Sequence, residues 1–214
     1  MLRTTLKSSF SNQGQICLCG SRIFVEEKIY DQFKTDFVAQ CKSLVVGNPT
    51  NPTSDLGALV SKAHLRKVLD YIKIAKNEGG KVLCGGEQLI IKGFENGYYM
   101  SPTIIEVTDD ACRVNQEEIF GPVVTLMPFK SEFDVLNMAN SVKYGLSATL
   151  WTNNLERTMR MTQQIQAGII WVNTWMLRDL RTPFGGVKDS GVGREGGLEA
   201  LRFFTEPKNV CIKW

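Results

Sequence analysis

The chain has 214 residues, 43% of them hydrophobic and 22% charged, an ordinary balance for a folded protein with a sizeable core. Its net charge of +3 comes from 25 basic and 22 acidic side chains; the signs are interspersed with no basic stripe, so nucleic acid is not an implied partner. The opening "MLRTTLKSSFSNQ" lacks the apolar segment of a signal peptide, and runs such as "GIIWV" are far too short to span a bilayer, so the chain reads as cytoplasmic and free of membrane.

The first predicted element is a helix over "LRTTLKSSF", with Leu2, Leu6 and Phe10 on one face and Gly14 as its stop. A polar loop, "SNQGQ", leads to Cys17 and then to a β-like run, "SRIFVEE". Ile29, Phe33, Phe37, Cys41 and Leu44 repeat at nearly helical spacing, with Glu26 and Glu27 at the positive end of that helix. Ser61 is a candidate N-cap for a third helix, whose stripe is Leu65, Val68, Leu69 and Ile72 and whose end is Gly79-Gly80. "KVLCGG", "PTIIEV" and "PVVTLMPF" follow as short β-like runs. Ser131 opens a helix with a Ser-x-x-Asp signal, and "LSATLWT" and "GIIWVN" flank a further helix that ends at Gly168. Helices alternating with apolar strands predict an α/β fold with a mostly parallel sheet covered on both faces. The tail "NVCIKW" is a separate β-like run after Pro207.

Six cysteines without a C-x-x-C pair, in a chain of this length, argue against a disulfide framework. One histidine and scattered cysteines argue against a metal site. Cys17 is the cysteine whose surroundings suggest chemistry, because it sits in a polar loop just before a strand; a buried structural thiol is the alternative. A Cys-His hydrolase is disfavoured, since the lone His64 lies in a Lys-rich helix and reads as a solvated face residue. Two other stretches stand out. "NQEEIFGPVV" places two carboxylates before a Gly-Pro turn, and "NTWMLRDLRTPFGGVKDSGVGREGG" is a long Gly-rich loop after a strand. The glycines of the second do not have dinucleotide-fingerprint spacing between a strand and a helix.

"FSNQGQIC", "EEIFGPVV", "KYGLSATLWT" and "PFGGVKDSGVGREGG", with the tail "FFTEPKNVCIKW", occur in an order and spacing that resemble the aldehyde dehydrogenase superfamily. The resemblance covers essentially the whole chain. It implies a three-layer catalytic domain over residues 1–205, with a return segment from about 185, and an oligomerisation strand over residues 206–214 that would make the protein a homo-oligomer. It implies that Cys17 is the nucleophile, with its backbone N–H on the oxyanion, and that Cys19 has no catalytic role. The cofactor implied is NAD(P)+, with NAD+ favoured. Glu118 matches the carboxylate that binds the nicotinamide ribose and Phe120 the aromatic beside it, whereas Glu117 reads as structural. Family members are more than twice this length, so the resemblance also implies a missing part before Met1 with the cofactor-binding domain and the general base. An enzyme that is catalytically incomplete as an isolated chain and a non-catalytic association module both remain open, with thiol-esterase activity a weaker option.

The loop after "GIIWVN" lines the substrate side in this superfamily. Arg178 stands there with Trp175 and Phe184 as tunnel walls, while Arg181 reads as outside the site. A guanidinium at such a place suits a carboxylate; the alternative is a solvated arginine on a loop. "WMLRDL" most resembles the semialdehyde dehydrogenases of the 2-aminomuconate and 2-hydroxymuconate type. The betaine-aldehyde type is the alternative, disfavoured because Arg178 would repel a cationic substrate.

Overall fold

The computed structural model describes residues 1–214, and in it the first helix, α1 (Leu2–Phe10), runs into a 3-10 turn at Ser11–Gly14. The chain continues through β1 (Arg22–Glu26), α2 (Glu27–Lys42), α3 (Lys62–Asn77), β2 (Lys81–Cys84), β3 (Gln88–Leu89), β4 (Tyr99–Met100) and β5 (Thr103–Glu106). After these come α4 (Arg113–Gln116), β6 (Val123–Phe129), α5 (Glu132–Asn140), β7 (Tyr144–Gly145), β8 (Ser147–Leu150), α6 (Leu155–Gln164), β9 (Ile169–Val172), β10 (Val187–Lys188) and α7 (Gly197–Phe203). The predicted caps form. Ser61 Oγ accepts from the His64 N–H at 3.1 Å, and Ser131 Oγ accepts from the Asp134 N–H at 3.1 Å, each satisfying a donor that the first turn leaves without a partner.

The main sheet has the order β1-β6-β5-β2. β1 and β5 both pair parallel with β6, and β2 closes the edge antiparallel to β5, so the sheet is mixed. Successive residues of its strands face opposite sides. Ile104 packs with Phe10, Phe37 and Cys41 under α1 and α2. Its neighbour Ile105 packs with Leu65, Val68 and Ile72 of α3 on the other face. Helices thus cover the sheet on both sides.

β8 and β9 pair parallel with each other and form a separate two-stranded sheet. Residues 204–214 join no helix or strand, and all are exposed. The expected tail strand is therefore not formed within this chain, because a strand exists only against a ladder partner and the tail has none here. No helix is long and apolar enough to cross a membrane.

Candidate active site

Three consecutive residues, Asn12, Gln13 and Gly14, take left-handed backbone with φ of 50°, 57° and 68°. They turn the chain sharply out of α1. Gly14 is buried, and a Cβ there would collide with the carbonyl oxygen of Gly121. The turn before Cys17 therefore rests directly on the loop that follows Glu118, which joins two motifs more than a hundred positions apart. Gln15 adds a second tie, its Oε1 accepting from the Val60 N–H at 3.1 Å.

Cys17 lies on the connection between this turn and β1, with its residue exposed. It borders a cavity of about 670 Å3. Cys19 is half-buried, and burial, with a smaller contribution from Cys17, pushes its thiol up to about 11 against a weaker pull from the Ile16 backbone. A thiol held that high is a poor nucleophile, because the thiolate is the reactive form. Cys41, Cys84 and Cys112 are buried in the core. Cys211 on the tail is exposed as well, so exposure by itself does not single out Cys17.

The two glutamates before Ile119 are in different states. Glu117 accepts two bonds from Arg113, both at 2.9 Å, and one from Tyr71 Oη at 2.7 Å. These bonds, Arg113 foremost, hold its carboxyl down to about 2. Glu118 is exposed, its carboxylate makes no hydrogen bond within the chain, and it borders the same cavity as Cys17. Phe120 has a φ of 62°. The sequence reads His64 as a solvated face residue; the residue is partly exposed and its ring also has a partner, with Nε2 2.6 Å from the Phe120 carbonyl oxygen and the two rings edge to face. Nothing in the spacing of α3 marks this, since the partner carbonyl is 56 positions away.

Trp175 donates from Nε1 to the Leu18 carbonyl at 3.0 Å, which fixes the loop after β9 beside the cysteine turn. Arg178 and Phe184 come together, with the guanidinium 4.5 Å from the ring centroid. They border a second cavity of about 330 Å3 rather than the one Cys17 borders. Arg181 is held bidentate by Asp179. The exposed Arg178 has no carboxylate partner of its own within the chain.

An arrangement of this kind, a thiol on a Gly-containing turn locked against a Glu-Ile-Phe-Gly-Pro loop, accords with the family match: the chain belongs to the aldehyde dehydrogenase family, whose model matches residues 1–210. The chain is 50% identical to a 2-aminomuconic semialdehyde dehydrogenase of Bos taurus over 214 residues, which is 98% of this chain and 44% of that protein. It is 45% identical to a 2-hydroxymuconic semialdehyde dehydrogenase of Pseudomonas sp. (strain CF600) over 98% of this chain and 43% of that one. A betaine aldehyde dehydrogenase of Staphylococcus aureus, solved in complex with NAD+, superposes with a TM-score of 0.92 at 32% identity, over 95% of this chain and 40% of that chain. The chain spans less than half the length of these relatives.

Proposed function

We propose that these residues are the cysteine-bearing part of an NAD(P)+-dependent dehydrogenase, NAD+ being the favoured cofactor, that oxidises a carboxylate-bearing semialdehyde of the muconic type to the acid. The observation that carries this reading is that the accessible thiol of Cys17 and the unpartnered carboxylate of Glu118 border one cavity.

The Cys17 thiolate adds to the aldehyde carbonyl, forming a C–S bond and placing negative charge on the former carbonyl oxygen. The Cys17 N–H stabilises that oxygen. Collapse of this adduct expels a hydride from carbon and leaves a thioester on Cys17; water then adds, the C–S bond breaks, and the acid leaves with the thiol restored. Bound NAD(P)+ supplies the acceptor for that hydride. Glu118 suits the ribose of such a cofactor because an ionised, unpartnered carboxylate accepts from both hydroxyls, and Phe120 lies two residues further on the same loop. Glu117 borders the same cavity but is less suited to this role, because Arg113 and Tyr71 already use most of its acceptor capacity.

Arg178 binds the substrate's carboxylate in this reading, although it borders the second cavity, so the substrate would have to reach from there to Cys17. Its fork is free because Asp179 belongs to Arg181, and its charge disfavours a cationic betaine-type aldehyde. Residues 1–205 form the catalytic domain, and residues 206–214 pair as a strand with a second subunit, giving a cytoplasmic homo-oligomer. The exposed Val210, Ile212 and Trp214 support that role for the tail.

Brief treatment with iodoacetamide followed by peptide mapping tests the nucleophile. Cys17 should label faster than Cys211, and Cys41 should not label in the same interval. Equal rates at Cys17 and Cys211 would remove the case for an activated thiol.

A further inference from the structure

Two buried thiols outside the site, Cys41 and Cys84, lie together. Cys41 is in the last turn of α2, and Cys84 ends β2, the antiparallel edge of the main sheet. Cys84 pairs with Ile104 across the ladder, and residues opposite each other share a face. That face is the one on which Ile104, Phe37 and Cys41 pack under α2. Cys41 Sγ lies 3.7 Å from the Pro102 carbonyl oxygen. A Cβ on Gly85 would collide with the same oxygen, so the helix thiol is lodged beside the residue that follows Cys84. The two thiols hydrogen-bond each other, which lowers the Cys84 thiol in spite of burial and, together with burial, raises Cys41. Cys112, the third buried cysteine, packs in the cluster on the other face of the sheet.

The end of β2 gives a small reagent access to Cys84. The strand has a neighbour on one side only, its register slips between Val82 and Cys84, and Gly85 and Gly86 follow with left-handed φ of 72° and 92°. An edge held in this way opens locally at less cost than the strands behind it. We propose that Cys41 and Cys84 are an oxidation site, a dithiol that a hydroperoxide closes to a disulfide between α2 and β2. The Cys84 thiolate attacks one oxygen of hydrogen peroxide and the O–O bond breaks. A sulfenic acid forms, and the departing hydroxide takes up the proton that the thiol released. The Cys41 sulfur then attacks the Cys84 sulfur. The S–S bond forms, the S–O bond breaks, and the oxygen leaves as water with the Cys41 proton. Two thiols and one peroxide thus give one disulfide and two waters, with no part for Cys17, aldehyde or cofactor. The link closes a loop that contains α3, so it joins the helix cover of one face to the edge strand by way of the other face.

The test treats the 214-residue chain with hydrogen peroxide, stops the reaction with catalase, unfolds the chain in N-ethylmaleimide and maps peptides without reductant. A Cys41–Cys84 linked peptide should appear, lighter than its parts by the two thiol hydrogens, and dithiothreitol should remove it. Cys112 should be recovered as its maleimide adduct. Cys41→Ala should leave Cys84 as a sulfenic acid that dimedone traps, and Cys84→Ala should leave Cys41 unoxidised. The linked chain should have a higher urea midpoint than the reduced chain, because closing a long loop constrains the unfolded state. No link at a peroxide dose that oxidises all of Cys17, or a link that forms only in urea, would overturn the proposal. Links from Cys84 to Cys17 or Cys112 in equal yield would overturn it too, since they mark exchange in unfolded chains. A lowered urea midpoint would mean that the bond is made against the native geometry, and the pair would then not be a built site.

Discussion

The strands β6 and β9 are written in similar sequence, "VVTLMPF" and "IIWV", yet their surroundings differ. Five of the seven residues of β6 are buried, and of the four in β9 only Trp171 is. β6 has a strand on either edge, α1 and α2 over one face and α3 over the other. β9 has one neighbour, β8, whose residues are all half-buried. The helices nearest this pair in sequence are themselves little buried: α5 buries no residue and α6 only Met161. β1 pairs only with β6 and β8 only with β9, and the cavity of about 670 Å3 is bordered by both β1 and β8. An apolar run therefore shows that a strand is suited to burial on both faces, but not that the covering neighbours belong to the same stretch of chain.

The sharpest way to break this comparison is to truncate one isoleucine in each region. Ile104 is fully buried, so Ile104→Ala should cost about 2–5 kcal/mol, read from the urea midpoint at constant slope. Ile170 in β9 is half-buried, and Ile170→Ala should cost clearly less. Equal losses would mean that the β8–β9 pair is as firmly packed as the main sheet.

The loop after β9 should be sensitive to ligand rather than to packing. Arg178 is exposed, so a bond from it to a substrate carboxylate, as proposed, would be worth about 1.5–3 kcal/mol, the range for a hydrogen bond to a charged group. In an active enzyme carrying these residues, Arg178→Ala should lower kcat/KM for an acidic semialdehyde roughly 10- to 150-fold. It should leave an uncharged aldehyde of similar length nearly unaffected. Equal loss for both would reduce Arg178 to a support for the Phe184 ring.

Gly14 tests the seam between the cysteine turn and the Glu118 loop. Gly14→Ala adds a Cβ against the Gly121 carbonyl at a left-handed backbone position, and the strain should cost about 1–3 kcal/mol. A variant as stable as the parent would show that the two loops can part freely.

Much of the main sheet and its helices could be read from sequence because the signals are local. Leu2, Leu6 and Phe10 mark α1, and Ser61 and Ser131 mark the starts of α3 and α5. Cys17 and Glu118 stand out in the sequence as residues of the motifs "FSNQGQIC" and "EEIFGPVV", and the structure places both beside one cavity. Three features were not legible. The antiparallel edge β2 reads like any parallel strand, since direction leaves no trace in an apolar run. The contact of His64 with Phe120 links residues with no shared pattern. The tail "NVCIKW" has strand composition, but pairing depends on a neighbour that its own residues do not specify.

The smallest expected effect concerns acid stability on the main-sheet side of the site. Arg113, and then Tyr71, hold the Glu117 carboxyl down to about 2 in the folded chain, against about 4.3 for an unperturbed glutamate. A depressed folded value means that the unfolded chain binds the proton more readily. The stabilisation is therefore complete above about pH 4.3 and is lost as the pH falls from there toward 2. Glu117's side chain is 38% exposed and Arg113's 52%, so solvent screening limits the contribution to about 1 kcal/mol or less. Glu117→Gln removes the titrating group, and the fall in stability between about pH 4 and pH 2 should become shallower than in the parent by that amount. At pH 7 the same variant should be less stable than the parent by a similar margin, and the amides at 118–121 should exchange faster because one anchor of the loop is weakened. Parallel acid limbs in variant and parent would mean that the Arg113–Glu117–Tyr71 cluster adds nothing to the fold.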